Sequence, residues 1–125
     1  MEAIHLFSLA SRRSEWLSVR QATIAENVAN VDTPGYRAKD VQPFREVMDH
    51  TRLQMAATSP SHLELDGRAR QTRTDKADSW TITHSGNSVS IEQELMKSSS
   101  AAREHSLSTS IVKSFHRMLM TTLKG

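Results

Sequence analysis

All three prolines and three of the four glycines of this 125-residue chain fall between Pro34 and Gly86. Outside that window no residue breaks a helix until the final Gly125. The two free segments both carry apolar residues at helical spacing. In the first, Ala3, Phe7, Ala10, Leu17, Ile24, Val28 and Val31 follow alternating steps of three and four, with Ser14 and Gln21 as polar positions of the same row. Leu6, Leu9, Trp16 and Val19 widen it in places. Such a heptad seam predicts one helix over residues 2–31. It would be about 45 Å long at the usual rise per residue. Globular helices average roughly 11–12 residues, so a helix of this length belongs to a coiled coil or bundle.

The second segment opens at Ser90. With Gln93 three residues on, Ser90 reads as the start of a capping box, and Glu92 and Glu94 suit the positive end of a helix dipole. Ile91, Leu95, Ala102, Val112, Leu119 and Leu123 mark a second seam. Ser98, His105, Thr109 and His116 dilute it; Ile111, Phe115 and Met118 widen it. The residues expected to form the assembly seam are Phe7, Leu17, Ile24, Val28, Ile91, Leu95, Val112, Leu119 and Leu123.

Between the two lies the stretch Asn27-Val-Ala-Asn-Val-Asp-Thr-Pro-Gly-Tyr36. Pro34 cannot continue a helix and pushes Thr33 out of α geometry. Gly35 permits a positive φ, so Pro34-Gly35 fits the centre of a type II turn. Asn30 and Asp32 can bond nearby backbone as the helix unwinds, and Tyr36 can pin the turn. Residues 37–42 read as an extended strand or loop. Pro43 then opens a short helix in which Phe44, Val47, Met48, Thr51 and Met55 recur, ending near Ala57 ahead of Pro60. Asp66 to Ser79 is almost wholly polar and reads as a solvated loop. Trp80 to Thr83 alternates apolar and polar, which suggests a short strand in a small hairpin, and Ser85-Gly86-Asn87 reads as a turn.

The expected fold is mainly α. Two long terminal helices pack as a coiled-coil-like hairpin, with a short middle helix and a loop or small β-hairpin as insert. The corresponding division is an N-terminal assembly helix at 1–33, an insert at 34–89 and a C-terminal assembly helix at 90–125.

Catalytic patterns are missing. There is no cysteine, hence no thiolate metal site or disulfide, and neither a phosphate-cradling glycine loop nor an H-E-x-x-H helix occurs. His105 and His116 lie about 16 Å apart along one helix, too far to share a metal. His50 and His62 read as ordinary surface residues, and nothing orders His84 and Ser85 as part of a triad. Trp16 and Trp80 read as packing anchors, and Arg12, Arg13 and Arg20 as a solvated or ion-paired face. A net charge of +2 is too small a field to argue for nucleic acid. The N-terminal apolar run is interrupted by His5 and Ser8, with arginines after it rather than before, so it makes a poor secretory signal. No run approaches the ~20 apolar residues that span a membrane. No cofactor is expected. Two amphipathic helices packed only on each other leave apolar strips exposed, which monomers rarely tolerate. The residues therefore point to an assembly protein.

A long helix ending in Ala29-Asn30-Val31-Asp32-Thr33-Pro34-Gly35-Tyr36 resembles the bacterial flagellar axial proteins, the rod, hook and hook-associated family. Gln21, Ala25, Asn27 and Val28 fit the same pattern. The short insert is similar to that of proximal rod proteins. Arg37-Ala38-Lys39-Asp40-Val41, the block from Thr58 to Leu63 and Gly86-Asn87-Ser88-Val89-Ser90-Ile91-Glu92-Gln93-Glu94-Leu95-Met96 are similar to the B type among them. Ser90 stands where an Asp is usual. The stretch after Ser98 lacks the customary Asn and Tyr, which keeps the C type as an alternative. A secreted, membrane-associating amphipathic-helix protein is the alternative of a different class.

The resemblance implies a non-enzymatic subunit of the drive shaft between motor and hook. It implies that Asn27, Asn30, Thr33, Pro34, Gly35 and Tyr36 form the motif turn. The implied partners are other copies of itself, other rod proteins, and the rod-base adaptor and flagellar export gate, with no nucleic acid and no direct membrane insertion. The implied location is the rod within the periplasm, reached through the flagellar type III system without a cleaved signal peptide.

Overall fold

The computed structural model describes residues 2–51 and 74–124. Helix α1 runs from Glu2 to Ala29, strand β1 from Lys39 to Val41, helix α2 from Phe44 to Thr51, strand β2 from Thr74 to Lys76, and helix α3 from Ile91 to Lys124. The fold is mainly α, with the expected pair of long terminal helices, a short middle helix and a small antiparallel sheet. At 28 and 34 residues the long helices measure about 42 and 51 Å. They run antiparallel, because Phe7 meets Phe115, Arg13 meets Glu104, Gln21 meets Ser98 and Asn27 meets Glu94. None of the described helices is long and apolar enough to cross a membrane.

α1 stops two residues short of the expected end. Its last turn tightens, with the Asn30 N–H shared between the carbonyls of Glu26 and Asn27 and the Val31 N–H on Val28, the usual fraying of a helix C-terminus. The chain then reverses at Pro34-Gly35. The Tyr36 N–H bonds the Thr33 carbonyl at 3.2 Å, and Gly35 sits at φ +72°, which is type II geometry. An added Cβ at Gly35 would touch nothing within 4 Å, so alanine there acts through backbone strain alone. Gly35→Ala is expected to cost about 1 kcal/mol in urea unfolding and Gly35→Asn less, since asparagine tolerates the left-handed region. Equal losses for both would mean that strain is not the cause.

The expected hairpin at Trp80–Thr83 does not form. Trp80 and Ile82 are both exposed, so the alternation faces no core. The backbone there is used locally: the Thr83 N–H bonds Asn87 O, the Gly86 N–H bonds Thr83 O, and the Ser79 hydroxyl is within bonding distance of the Thr81 and Ser88 carbonyls. The strand comes instead from within the polar run assigned to a loop. Thr74, Asp75 and Lys76 pair with Val41, Asp40 and Lys39, and the Ala77 N–H extends the ladder to Ala38 O. All three β2 side chains are exposed, so main-chain bonding drives the pairing and side-chain pattern could not reveal it. The expected continuation of α2 to Ala57, the break at Pro60 and most of the Asp66–Ser79 loop lie outside the described residues.

The core is small and lies to one side. Trp16, Leu17, Val41 and Ala101 form its centre, with Val19, Phe44 and Val47 packed against it. It thus joins α1, β1, α2 and α3. The Trp16 indole N–H bonds the Gln42 carbonyl at 2.8 Å, and its ring lies 5.8 Å from that of Phe44. Ala101 is the small residue that lets α3 come close. Every buried side chain among the described residues belongs to this half of the hairpin. None of residues 5–15 or 102–123 is buried.

Candidate assembly site at the helix junction

At the buried end of the hairpin, two asparagines clamp the chain segments together. Asn27, on the inner face of α1, is wholly inaccessible to solvent. Its Nδ2 donates to the Lys39 carbonyl at 2.7 Å and to Glu94 Oε2 at 3.0 Å. Its Oδ1 accepts the Lys39 N–H at 3.0 Å and the Tyr36 hydroxyl at 3.4 Å. Every donor and acceptor site of the amide is occupied. To β1 it presents the paired donor and acceptor that a neighbouring strand would, which is how a helix comes to hold a strand edge-on.

Asn87 does the converse for the exit of α1. Its Nδ2 lies 2.9, 2.9 and 2.7 Å from the carbonyls of Asn30, Val31 and Thr33, just past the end of α1; those of Asn30 and Thr33 also accept the Thr33 and Tyr36 N–H groups. Its Oδ1 accepts the Val89 N–H at 2.8 Å. The backbones on either side interlock: the Gly35 N–H bonds Ser85 O, the Ser88 N–H bonds Tyr36 O, and the Ala38 N–H bonds Ser88 Oγ. Gly86, at φ +80°, lies against Gly35 closely enough that an added Cβ would sit 3.6 Å from its Cα. The turn after α1 and the lead-in to α3 therefore form one unit.

Ser90 caps α3 through its Oγ and the Gln93 N–H at 3.4 Å. The expected return bond of the box is absent. Gln93 instead donates to the Asp78 carbonyl and accepts from the Trp80 N–H, tying the preceding loop to the helix. The Ser90 hydroxyl donates to Glu92.

Charged groups continue the clamp inward. The carboxylate of Glu94, only 1% exposed, accepts from Asn27 and from Lys97 Nζ at 3.1 Å. Lys97 Nζ reaches Asp40 at 3.0 Å. Arg20 lies 4.0 Å from Asp40 and 3.8 Å from Glu104, and Arg13 bonds Glu104 at 2.7 Å. Arg20 also lies over Trp16, and Arg13 over Phe44. The chain of ions crosses from α3 to β1 to α1 and back. Sequence reasoning gave Glu94 only a dipole role and gave Lys97 and Asp40 no role. The i, i+3 spacing of Glu94 and Lys97 was visible, but a solvated pair reads the same way.

Tyr36 closes the outer side. Its hydroxyl lies 3.4 Å from Glu26, which pairs with Lys39 at 2.5 Å. The Lys39 ammonium holds the Glu26 carboxyl below its ordinary pKa, and the pair holds Lys39 above its own. Burial, with the nearby Glu26 charge second, pushes the Tyr36 phenol above its ordinary 10.0. Tyr36 is the chain's single tyrosine, so its ionisation can be followed by phenolate absorbance. It is expected to titrate above the free phenol, and lower in Glu26→Gln than in the parent chain. A higher or unchanged midpoint in that variant would refute the contact.

The other motif residues are more exposed. Asn30 bonds back to Glu26 O and accepts from the Thr33 hydroxyl; Asp32 and Pro34 face solvent. Of the seam residues, Leu17 and Ile24 are buried, while Phe7, Val112 and Leu119 are half-buried. Phe7 makes an edge contact with Phe115, centroids 5.8 Å apart. Val28, Ile91, Leu95 and Leu123 are exposed. The face that α3 turns toward α1 is marked by Glu94, Ser98, Ala101, Glu104 and Phe115. One flank of that face carries Ile91, Leu95, Met120 and Leu123; the other carries Met96, Leu107, Ile111 and Met118, all exposed. Among the described residues no group of His, Asp or Glu is placed to hold a metal ion.

A model of the family described as flagella basal body rod protein matches residues 15–37, the stretch from the core face of α1 through the turn. The chain is 44% identical over 129 residues to the flagellar basal body rod protein FlgB of Agrobacterium fabrum, covering 99% of this chain and 96% of that one. It is 29% identical over 125 residues to FlgB of Aeromonas hydrophila, covering 98% and 91%. With FlgB of Bacillus subtilis it shares 28% over 79 residues, 62% and 60% of the two chains.

Proposed function

The chain belongs to the FlgB family of flagellar basal body rod proteins, and from that membership we propose that it is a subunit of the proximal rod that transmits torque from motor to hook. It is a structural protein of the basal body, from a family that is not an enzyme family. At the base of the rod it joins the shaft to the adaptor and export gate, and it arrives in the periplasm through the flagellar type III system. Its neighbours are copies of itself and related rod proteins.

One observation supports a role by packing rather than by chemistry. The far half of the hairpin has no buried side chain among residues 5–15 and 102–123, yet α3 keeps Leu107, Ile111, Met118, Met120 and Leu123 exposed there. Apolar rows on both flanks of a helix already paired on its third side are what a subunit inside a helical wall requires. The turn at Pro34-Gly35 and the junction clamp then hold the two assembly helices at a fixed mutual position, so that twist applied to one passes to the other.

The test uses exposed positions, so that folding and assembly separate. Leu107→Asp and Ile111→Asp are expected to shift unfolding by less than about 0.5 kcal/mol while abolishing motility and rod recovery. Imaging of basal bodies carrying a labelled chain should place it at the base of the rod. Normal motility in both variants, or label at the hook, would overturn the reading.

A further inference from the structure

The described residues divide into two oppositely charged ends. A cut across the hairpin between Asn27–Glu94 and Gln21–Ser98 leaves residues 26–43 and 74–96 at the junction end, with seven acids against three Lys and Arg. Residues 2–25 and 97–124, with α2 packed on them through Phe44 and Trp16, hold nine Lys and Arg against five acids. The two parts are therefore −4 and +4, a separation hidden in the small net charge of the whole chain. Residues 52–73 contribute the remaining +2. After Glu104, α3 contains no acid at all.

Each end also bears an apolar feature suited to the other. At the far end, a cleft is lined by Phe7, Val112 and Met120 and rimmed by Lys113, His116 and Arg117. Lys113 and Arg117 are exposed and make no ion pair among the described residues. At the junction end Trp80 is 64% exposed, held in place by its N–H on Gln93 and by the bond from Gln93 to Asp78 O. Asp78, two residues before it, and Glu92, next to Gln93, are both exposed and make no ion pair among the described residues. Its own backbone N–H and then Ser90 hold the Glu92 carboxyl below its ordinary pKa. Trp80 is solvent-facing on a backbone tethered to α3, and Trp is among the residues most enriched at interface hot spots. A cleft rimmed by cations meets it on both counts, apolar contact and charge, with cation–π contact available to Arg117.

We propose that the chain docks end-on with a second copy of itself, Trp80 of one copy entering the Phe7–Val112–Met120 cleft of the next while Lys113 and Arg117 face Asp78 and Glu92. This rests on the assembly reading above and adds the polarity of the contact. The two surfaces differ, so the contact is heterologous and extends head to tail.

The test is sedimentation velocity of the full chain at low and high salt. The parent chain is expected to associate at low salt and to weaken by about tenfold or more at high salt, as screening predicts. Lys113→Glu with Arg117→Glu, or Asp78→Lys with Glu92→Lys, should each leave a folded monomer, and Trp80→Ala should weaken association about tenfold. Mixing the two charge-reversed variants should restore association, because each reversed surface then meets its complement. A parent chain that stays monomeric at low salt, a reversed variant that still associates alone, or a mixture that stays monomeric overturns the proposal. Motility is read separately. Charge-reversed variants that lose self-association but still build rods would overturn the end-on contact and leave the rod assignment standing.

Discussion

Asn87→Ala is expected to destabilise the protein by about 3 kcal/mol, more than any single apolar truncation on the far half of the hairpin. The substitution leaves a small void at a side chain that is 1% exposed. Most of its effect comes from what the amide leaves behind: the Val31 carbonyl loses its donor, the Asn30 and Thr33 carbonyls are left with only the Thr33 and Tyr36 N–H groups, and the Val89 N–H loses its acceptor. The Val89 N–H is buried, so water cannot easily replace that bond, whereas the Thr33 end is open to solvent and offsets part of the loss. Asn87→Asp separates the two halves of the role. It keeps an acceptor for Val89 but turns a carboxylate toward three carbonyls, so it should be at least as damaging as alanine. Urea unfolding followed by far-UV circular dichroism gives both values. A loss below about 0.5 kcal/mol for alanine would mean that the turn holds without its clamp. In a domain whose total stability lies in the usual range of about 5–15 kcal/mol and whose core is this small, the expected loss removes a large share. Spectra at zero denaturant should show lost helix in α1 and α3 together, because the clamp joins both.

Both long helices were legible because their signals are local: no breaker between residues 2 and 33, and a Ser90 cap followed by apolar spacing. The Pro34-Gly35 turn was legible for the same reason, since φ preferences belong to single residues. The phase of α3 was not. Ile91 and Leu95 are more apolar than Glu94 and Ala101, and hydrophobicity alone assigns them to the seam. The structure exposes Leu95 to 65% and buries Glu94, because the Asn27 amide that donates to Glu94, and the Asp40 that shares its Lys97, come from elements far away in sequence. Strand β2 was illegible for a related reason, since nothing in Thr-Asp-Lys advertises a main-chain ladder to residues 39–41. Asn27 and Asn87 stood out as motif positions, but a buried amide that substitutes for a backbone partner is visible only once the backbone is placed.

Lys97→Met should prove the more damaging half of a buried ion pair, costing about 3 kcal/mol, because it leaves the Glu94 charge with no cation and Asp40 with Arg20 alone, 4.0 Å away. The Lys97 side chain is 14% exposed and that of Glu94 1%, so neither charge can readily turn to solvent. Glu94→Gln should cost less, about 1 kcal/mol. The amide oxygen still accepts from Asn27, and Lys97 retains Asp40 at 3.0 Å. The informative measurement is the double variant. If the cost of Lys97→Met is chiefly an uncompensated Glu94 charge, neutralising that charge removes the penalty. Lys97→Met with Glu94→Gln should then fall short of the sum of the single losses by about 1 kcal/mol or more. Additive losses would show instead that Lys97 acts through Asp40 alone, and that α3 is held to β1 without help from α1. The sign of the coupling therefore decides whether the three elements at the junction form one cooperative unit or two adjacent contacts. If the subunit carries torque, that distinction matters: a single unit transmits a displacement of α3 to α1 directly, whereas separate contacts let the insert yield between them.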